Sequence, residues 1–257
     1  ASDLDAVVIC TPPHSHAALA TASIRAGKHT LVEKPFALTS GEGRKVAEAG
    51  RESGLCVTAG HNFLFSRSAM AAQAELASGA MGVPVWALGL QTSSWRRRLP
   101  EWRDTLPGGL FFDEAPHLLY LMRHFLGELS VSDSKITDFP ADGPSQLVDA
   151  RLGGARGDAR LLMWTGAPQS EWFLALYCSR ATLVLDLFRD ILIRVPAERS
   201  HGIRDVLTAS WTATLQHWCS FGERPRQNIA SAFTGNPVPP VTGTGAADSM
   251  NSQRRSF

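Results

Sequence analysis

Charge is scarce and nearly balanced in this 257-residue sequence: 25 basic residues stand against 24 acidic ones, and charged residues make up 19%. A net charge of +1 gives no reason to expect a nucleic acid or a membrane surface as partner. No run of about 18 uninterrupted apolar residues occurs, so no spanning helix is expected. Cysteine is sparse as well. Cys10, Cys56, Cys178 and Cys219 lie far apart, with no C-x-x-C pair and no zinc-knuckle spacing. That pattern argues against a disulfide framework or a structural metal site and makes a reducing cytoplasm the expected location. Cys10 and Cys56 sit in apolar runs and read as small core residues. No internal repeat and no signal peptide is visible. The chain opens at Ala1 with strand sequence a few residues later, which implies an N-terminus further upstream.

What is present is 44% hydrophobic sequence, ordinary for a folded protein. At this length a chain buries roughly 70–75% of its unfolded surface, enough for one large domain or two modest ones. Ala6–Cys10 is apolar throughout, as in a strand buried on both faces. Thr11-Pro12-Pro13 ends it, because proline cannot continue a central ladder. A helix from His16 to Ala26 follows, stopped by Gly27. His29–Val32 is a second strand. Thr39 and Glu42 form a capping box for a second helix, and Leu55–Ala59 is a third buried strand. Strand–helix alternation at this spacing implies parallel strands with right-handed crossovers. Ser66–Ser78 is a further helix.

The pattern changes after Gly82. Val83–Ser94 reads as a strand and Phe111–Leu126 as a helix with a short lead-in. Between Gln146 and Val195 come five strand-like runs with short turns, which implies antiparallel neighbours. Val206–Phe221 is an amphipathic helix, and Cys178, Cys219, Trp211 and Trp218 read as packing residues. The division expected is a parallel α/β unit over residues 1–82, an α+β unit over 83–235 and an irregular tail over 236–257.

Four places could carry chemistry. Thr11-Pro12-Pro13-His14-Ser15-His16 follows a parallel strand, where open α/β sheets bind ligands; the plainer reading is a surface turn. Glu33-Lys34-Pro35 ends the next strand on the same rim, where a lysine can set its charge beside a ligand. Asp113 and His117 are spaced i, i+4, so their side chains can share a helix face. Such a pair can raise the imidazole pKa and orient the ring for proton transfer; alternatively Asp113 is a helix cap. Trp95-Arg96-Arg97-Arg98 could hold an anion through bidentate contacts, although such a run is more often a solvated loop.

The order of these segments is similar to that of the Gfo/Idh/MocA family. Asp5 to His16, Ala26-Gly27-Lys28-His29 and Glu33-Lys34-Pro35 carry the resemblance. A second hallmark is Gly108-Gly109-Leu110-Phe111-Phe112-Asp113-Glu114-Ala115-Pro116-His117, a glycine-rich lead into D-x-x-x-H. The likeness runs over residues 3 to 235. It implies the C-terminal half of a Rossmann parallel sheet followed by a mostly antiparallel substrate domain. It further implies an NAD- or NADP-dependent oxidoreductase acting on a sugar- or cyclitol-like alcohol. Lys34, Asp113 and His117 are then catalytic, with His117 as proton acceptor. Thr11, Pro12, His16, Glu33, Lys34 and Asn62 line the dinucleotide site, no metal is expected, and the antiparallel sheet joins subunits of a homo-oligomer.

The sequence departs from the family pattern at Ala115, where many members carry glycine, and at Tyr120, where many carry an acidic residue supporting the histidine. No strand and G-x-G-x-x-G turn precede Ala6. The chain is therefore expected to begin near the fourth strand of a nucleotide domain and to bind cofactor poorly alone. Two rival expectations are an inactive fragment serving as a binding or oligomerisation module, and a metal-dependent hydrolase on a (β/α)8 barrel using His14 and His16, with His61 and Asp113 downstream.

Overall fold

The computed structural model describes residues 3–138, 146–197 and 202–223. The tail expected over 236–257 lies outside the described residues, as do the side chains of Trp218 and Cys219. Residues 1–216 form one compact unit, and a second unit starts at residue 217.

In chain order the first elements are β1 (Ala6–Ile9), α1 (His16–Arg25), β2 (His29–Val32), α2 (Ser40–Glu52) and β3 (Val57–Ala59). The strands pair in the order β1-β2-β3, all parallel. Thr39 caps α2 as expected: its side chain accepts from the Glu42 amide, and the Glu42 carboxylate accepts from the Thr39 amide.

The expectation that β1 is buried on both faces is corrected. Ile9 and Val32 pack against Ala20 and Ile24 of α1 and Val46 of α2. The opposite face carries Ala6, Val8 and Cys10, all exposed, with Val8 at 63%. Among the described residues both helices lie on one side of this sheet, so alternate strand positions divide into covered and uncovered. Cys10 and Cys56 fall on the uncovered side and are exposed, not core. An apolar run records which residues tolerate burial; it does not record which neighbours arrive.

The remaining elements are α3 (Arg67–Ala77), β4 (Pro84–Ser94), α4 (Gly109–Leu126), β5 (Leu129–Asp138), β6 (Gln146–Gly154), β7 (Asp158–Ala167), β8 (Glu171–Cys178), β9 (Ala181–Asp186), β10 (Ile191–Pro196) and α5 (Ile203–Glu223). The seven strands form one sheet in the order β10-β9-β8-β4-β7-β6-β5. All pairs are antiparallel except β4 with β7. The hairpins β6–β7 and β8–β9 are local, whereas β4 enters between β7 and β8 from far upstream. β5 escapes the hydrophobic pattern because Leu-Ser-Val-Ser-Asp-Ser-Lys is almost wholly polar. It sits at the sheet edge, paired only with β6, where solvent-facing polar residues are tolerated.

One sheet face is covered by α4. Leu118, Leu121, Met122 and Phe125 pack on Ala87, Leu161, Met163, Leu174 and Leu176 in a single core. Gly89 of β4 allows this contact. A Cβ there would lie 2.3 Å from the Met122 methyl and 3.2 Å from Leu118 Cδ1. Ala69 and Ala72 place α3 in the same core. Asp190 turns β9 into β10 and accepts the Arg67 and Ser68 amides at 3.2 and 2.8 Å, satisfying donors at the start of α3. Ile203, Val206, Leu207 and Leu215 of α5 are exposed. Trp211, read from sequence as a packing residue, is exposed, because no described element lies over that face of the helix. No helix is long and apolar enough to cross a membrane among the described residues, and no (β/α)8 barrel is formed.

Candidate active site

The carboxyl ends of β1, β2 and β3 open onto one rim, as parallel packing requires. Thr11, Glu33-Lys34 and His61-Asn62 follow those three ends. The His16 ring ties the first two loops together, one nitrogen 2.7 Å from the Thr11 carbonyl oxygen and the other 2.8 Å from that of Pro35. His16 is buried at 1% exposure, so its place is beneath the rim. Pro12 accepts the Ser15 amide and hydroxyl through its carbonyl, and the Thr11 and Ser15 hydroxyls meet at 2.7 Å. The Lys34–Pro35 peptide bond is cis. Glu33 accepts the Lys34 amide at 3.2 Å, and its carboxylate rests 3.3 Å from where a side chain on Gly60 would begin. A side chain there would sit tightly against the carboxylate.

The Gly108-Gly109 pair, both at positive φ, starts α4 in a conformation most residues resist. Asp113 then reaches the rim. Lys34 Nζ donates to Asp113 Oδ1 at 2.7 Å and to the Asp113 carbonyl at 3.1 Å. Both side chains are largely covered. Residues separated by 79 positions therefore meet, and the expected convergence of Lys34 and Asp113 is a fact of the fold.

The expected Asp113–His117 pairing does not form. Asp113 is engaged by Lys34, and His117 Nδ1 lies 3.0 Å from the Tyr120 hydroxyl. His117 is 6% exposed, boxed by the rings of Phe63, Trp172 and Tyr120. Its pKa is therefore lowered, not raised as expected from the i, i+4 spacing. Burial first, then the positive charge of Lys34 and then His61 bring it down to about 3. Asp113 is paired with Lys34, and no carboxylate offsets these effects.

Asn62 and Phe63 complete the cluster. Tyr120 donates to Asn62 Oδ1 at 3.2 Å and accepts the Phe63 amide at 3.1 Å. The His61 ring stacks on Tyr120 at 4.2 Å, and burial lowers its pKa too. Phe63 and Trp172 were not candidates from sequence, and His61 was one only in the metal-hydrolase reading; adjacency to Asn62 or aromatic character could have flagged them.

The arginine run is divided. Arg97 pairs with the buried carboxylate of Glu114, and Arg96 lies over the Trp95 ring at 4.9 Å. Among the described residues no group of three His, Cys, Asp or Glu side chains could hold a metal ion. His14 and His16 do not form the pair a metal hydrolase needs, because both His16 nitrogens face backbone carbonyls.

Residues 1–61 match the oxidoreductase family with an NAD-binding Rossmann fold, Gfo/Idh/MocA. Over that stretch the chain is similar to the Gfo/Idh/MocA family. The chain is 30% identical over 157 residues to a 1,5-anhydro-D-fructose reductase of Ensifer adhaerens, covering 60% of this chain and 47% of that one. It is 28% identical over 155 residues to a myo-inositol 2-dehydrogenase of Thermotoga maritima, covering 60% and 43%. A levoglucosan dehydrogenase solved with NADH and levoglucosan shares its fold, with a TM-score of 0.69 and 22% identity over 78% of this chain and 59% of that one. The matched stretch thus spans less than half the length of the two sequence relatives. The stretch matched by the family model carries Lys34 and the loops after β1 and β2, while Asp113 and His117 come from α4.

Proposed function

We propose that the protein is an NAD- or NADP-dependent oxidoreductase acting on a carbinol carbon of a sugar- or cyclitol-like substrate. The observation that carries this reading is the Lys34 ammonium, held by Asp113 at the carboxyl end of a parallel strand, beside a buried histidine whose base form persists at neutral pH. Relatives named for anhydrofructose, inositol and levoglucosan support the substrate class.

The residues present fit a dinucleotide on chemical grounds. The loops after three parallel strands meet at one rim, where such ligands bind, and the Gly60 position leaves the Glu33 carboxylate beside the backbone. Thr11, Pro12, Glu33, Lys34 and Asn62 would hold the cofactor, with His16 fixing the Thr11 and Pro35 loops under it. When bound, the nicotinamide supplies a hydride acceptor or donor at ring C4. Lys34 donates a hydrogen bond to the substrate oxygen and stabilises the negative charge that grows there. His117 accepts the hydroxyl proton as the C–O bond becomes a carbonyl. Asp113 keeps the ammonium aimed at that oxygen.

The test is a screen of the purified intact protein with 1,5-anhydro-D-fructose, levoglucosan and myo-inositol. Each is offered with both oxidation states of NAD and NADP, and nicotinamide absorbance is followed. Turnover of at least one polyol or its ketone is expected. A protein that binds either cofactor by calorimetry and turns over none of these compounds or their ketones overturns the reading.

The same reading includes a homo-oligomer. With α4 on one face of the large sheet, the opposite face presents Trp86, Leu88, Leu90, Leu162, Trp164 and Phe173, all half-buried. An apolar sheet face of this kind is suited to a second copy. Light scattering is expected to give a dimer or larger at micromolar concentration, and substitution of Leu90 by lysine is expected to give a monomer. A wild-type monomer overturns it.

A further inference from the structure

The Tyr120 hydroxyl has three neighbours and one hydrogen. The Phe63 amide must donate to it, at 3.1 Å, since an amide N–H cannot accept. Asn62 Oδ1 must accept from it, at 3.2 Å, because an amide oxygen has no hydrogen to give. The phenol's only hydrogen is thereby used. The third neighbour, His117 Nδ1 at 3.0 Å, meets an oxygen with a lone pair and no hydrogen left. A hydrogen on Nδ1 turns that contact into a bond, whereas a bare nitrogen would set two lone pairs against each other.

We propose that Tyr120 is the positioning residue of the site: it accepts a hydrogen bond from His117 Nδ1–H and so holds the ring in the tautomer whose Nε2 is the free proton acceptor. The surroundings fix the phenol. His61 stacks on its face, α4 carries it one turn beyond His117, and the residues after β3 supply both Asn62 and the Phe63 amide. The phenol also keeps its own proton, because burial foremost raises its pKa above the ordinary tyrosine value.

A tyrosine has one consequence that a carboxylate at this position would not. It orients the imidazole without adding a negative charge that would stabilise the imidazolium. The charged or titratable groups acting on His117 are Lys34 and His61, and both disfavour its protonation. His117 thus stays a neutral acceptor well below neutral pH. The catalytic consequence rests on the proposed dehydrogenase reading; the tautomer does not.

Two-bond proton–nitrogen correlation spectra of the intact protein, labelled at histidine and without cofactor, read the tautomer directly. His117→Gln identifies the signal. At pH 7 the expected pattern is a protonated Nδ1 and an unprotonated Nε2. The reverse pattern overturns the proposal and means that the Asn62 amide is turned to donate to the phenol. In turnover, Tyr120→Phe is expected to lower kcat about 10–100-fold with KM little changed, the usual effect of removing an orienting partner. Tyr120→Asp is expected to orient the ring again but to move the acid limb of the kcat/KM profile to higher pH. A limb that stays in place in Tyr120→Asp, with the fold intact by circular dichroism, also overturns it. If the expected tautomer is seen and no polyol turns over, the positioning role stands and the dehydrogenase reading fails.

Discussion

Lys34→Met is expected to reduce turnover of a polyol substrate by about a hundred- to a thousand-fold, the usual effect of removing one donor from a developing alkoxide. The side chain is largely covered, and its ammonium donates to two oxygens of one residue, Asp113. Water competes poorly for such a group, so its charge is felt more strongly than on an open surface. The same substitution leaves the Asp113 carboxylate without its cation, and some loss of stability will accompany the loss of rate. A double variant, Lys34→Met with Asp113→Leu, separates the two. It removes both charges, and is expected to recover stability while remaining as slow as the single variant. Steady-state rates beside urea denaturation curves decide the matter. Near-normal turnover in Lys34→Met would remove the lysine from the chemistry.

Glu114→Gln is expected to be the most destabilising conservative change, costing about 3 kcal/mol, the low end for breaking a buried ion pair whose other member is partly exposed. Glu114 lies in α4 next to Asp113 yet turns toward the sheet, where it is 3% exposed. One carboxylate oxygen accepts from Gln91 Nε2 at 2.8 Å and from the Ser93 hydroxyl at 2.5 Å, and the other accepts from Arg97. A glutamine presents an NH2 group to one of these sets of donors and removes the charge that Arg97 faces. For a chain of this size the change corresponds to a fall in Tm of about 6–12 °C. Urea denaturation of the variant checks it, and a loss below about 1 kcal/mol would show that the cluster adds little net stability. The prediction also bears on the arginine run. Arg97 serves to anchor the segment between β4 and α4, so its substitution is expected to loosen that segment.

Much of the architecture was legible from local pattern. The capping box at Thr39 and Glu42 placed the start of α2, and glycines at 27, 54 and 127 ended helices where only a residue free to adopt positive φ does so without strain. The strand-like runs at β6 to β8 did form strands, and their buried residues alternate. The meeting of the Lys34 and Asp113 loops was legible only through resemblance to a family, because 79 residues separate them and no periodicity spans such a distance.

The sequence by itself determined the elements, their order and the short list of side chains able to do chemistry, since these depend on bonds and contacts within a few residues. Tertiary structure decided what those side chains face. Asp113 and His117 share a helix one turn apart, yet Lys34 captures the carboxylate and Tyr120 receives the ring, so the imidazole loses the partner its spacing suggested. Glu114, an unremarked neighbour, became the buried anchor of Arg97. Cys10, Cys56 and Val8, apolar in their runs, ended in solvent because the described helices cover one face of their sheet. Burial and electrostatics are sums over neighbours brought in from distant parts of the chain. Charge state, tautomer and exposure are therefore set only when the fold has assembled them.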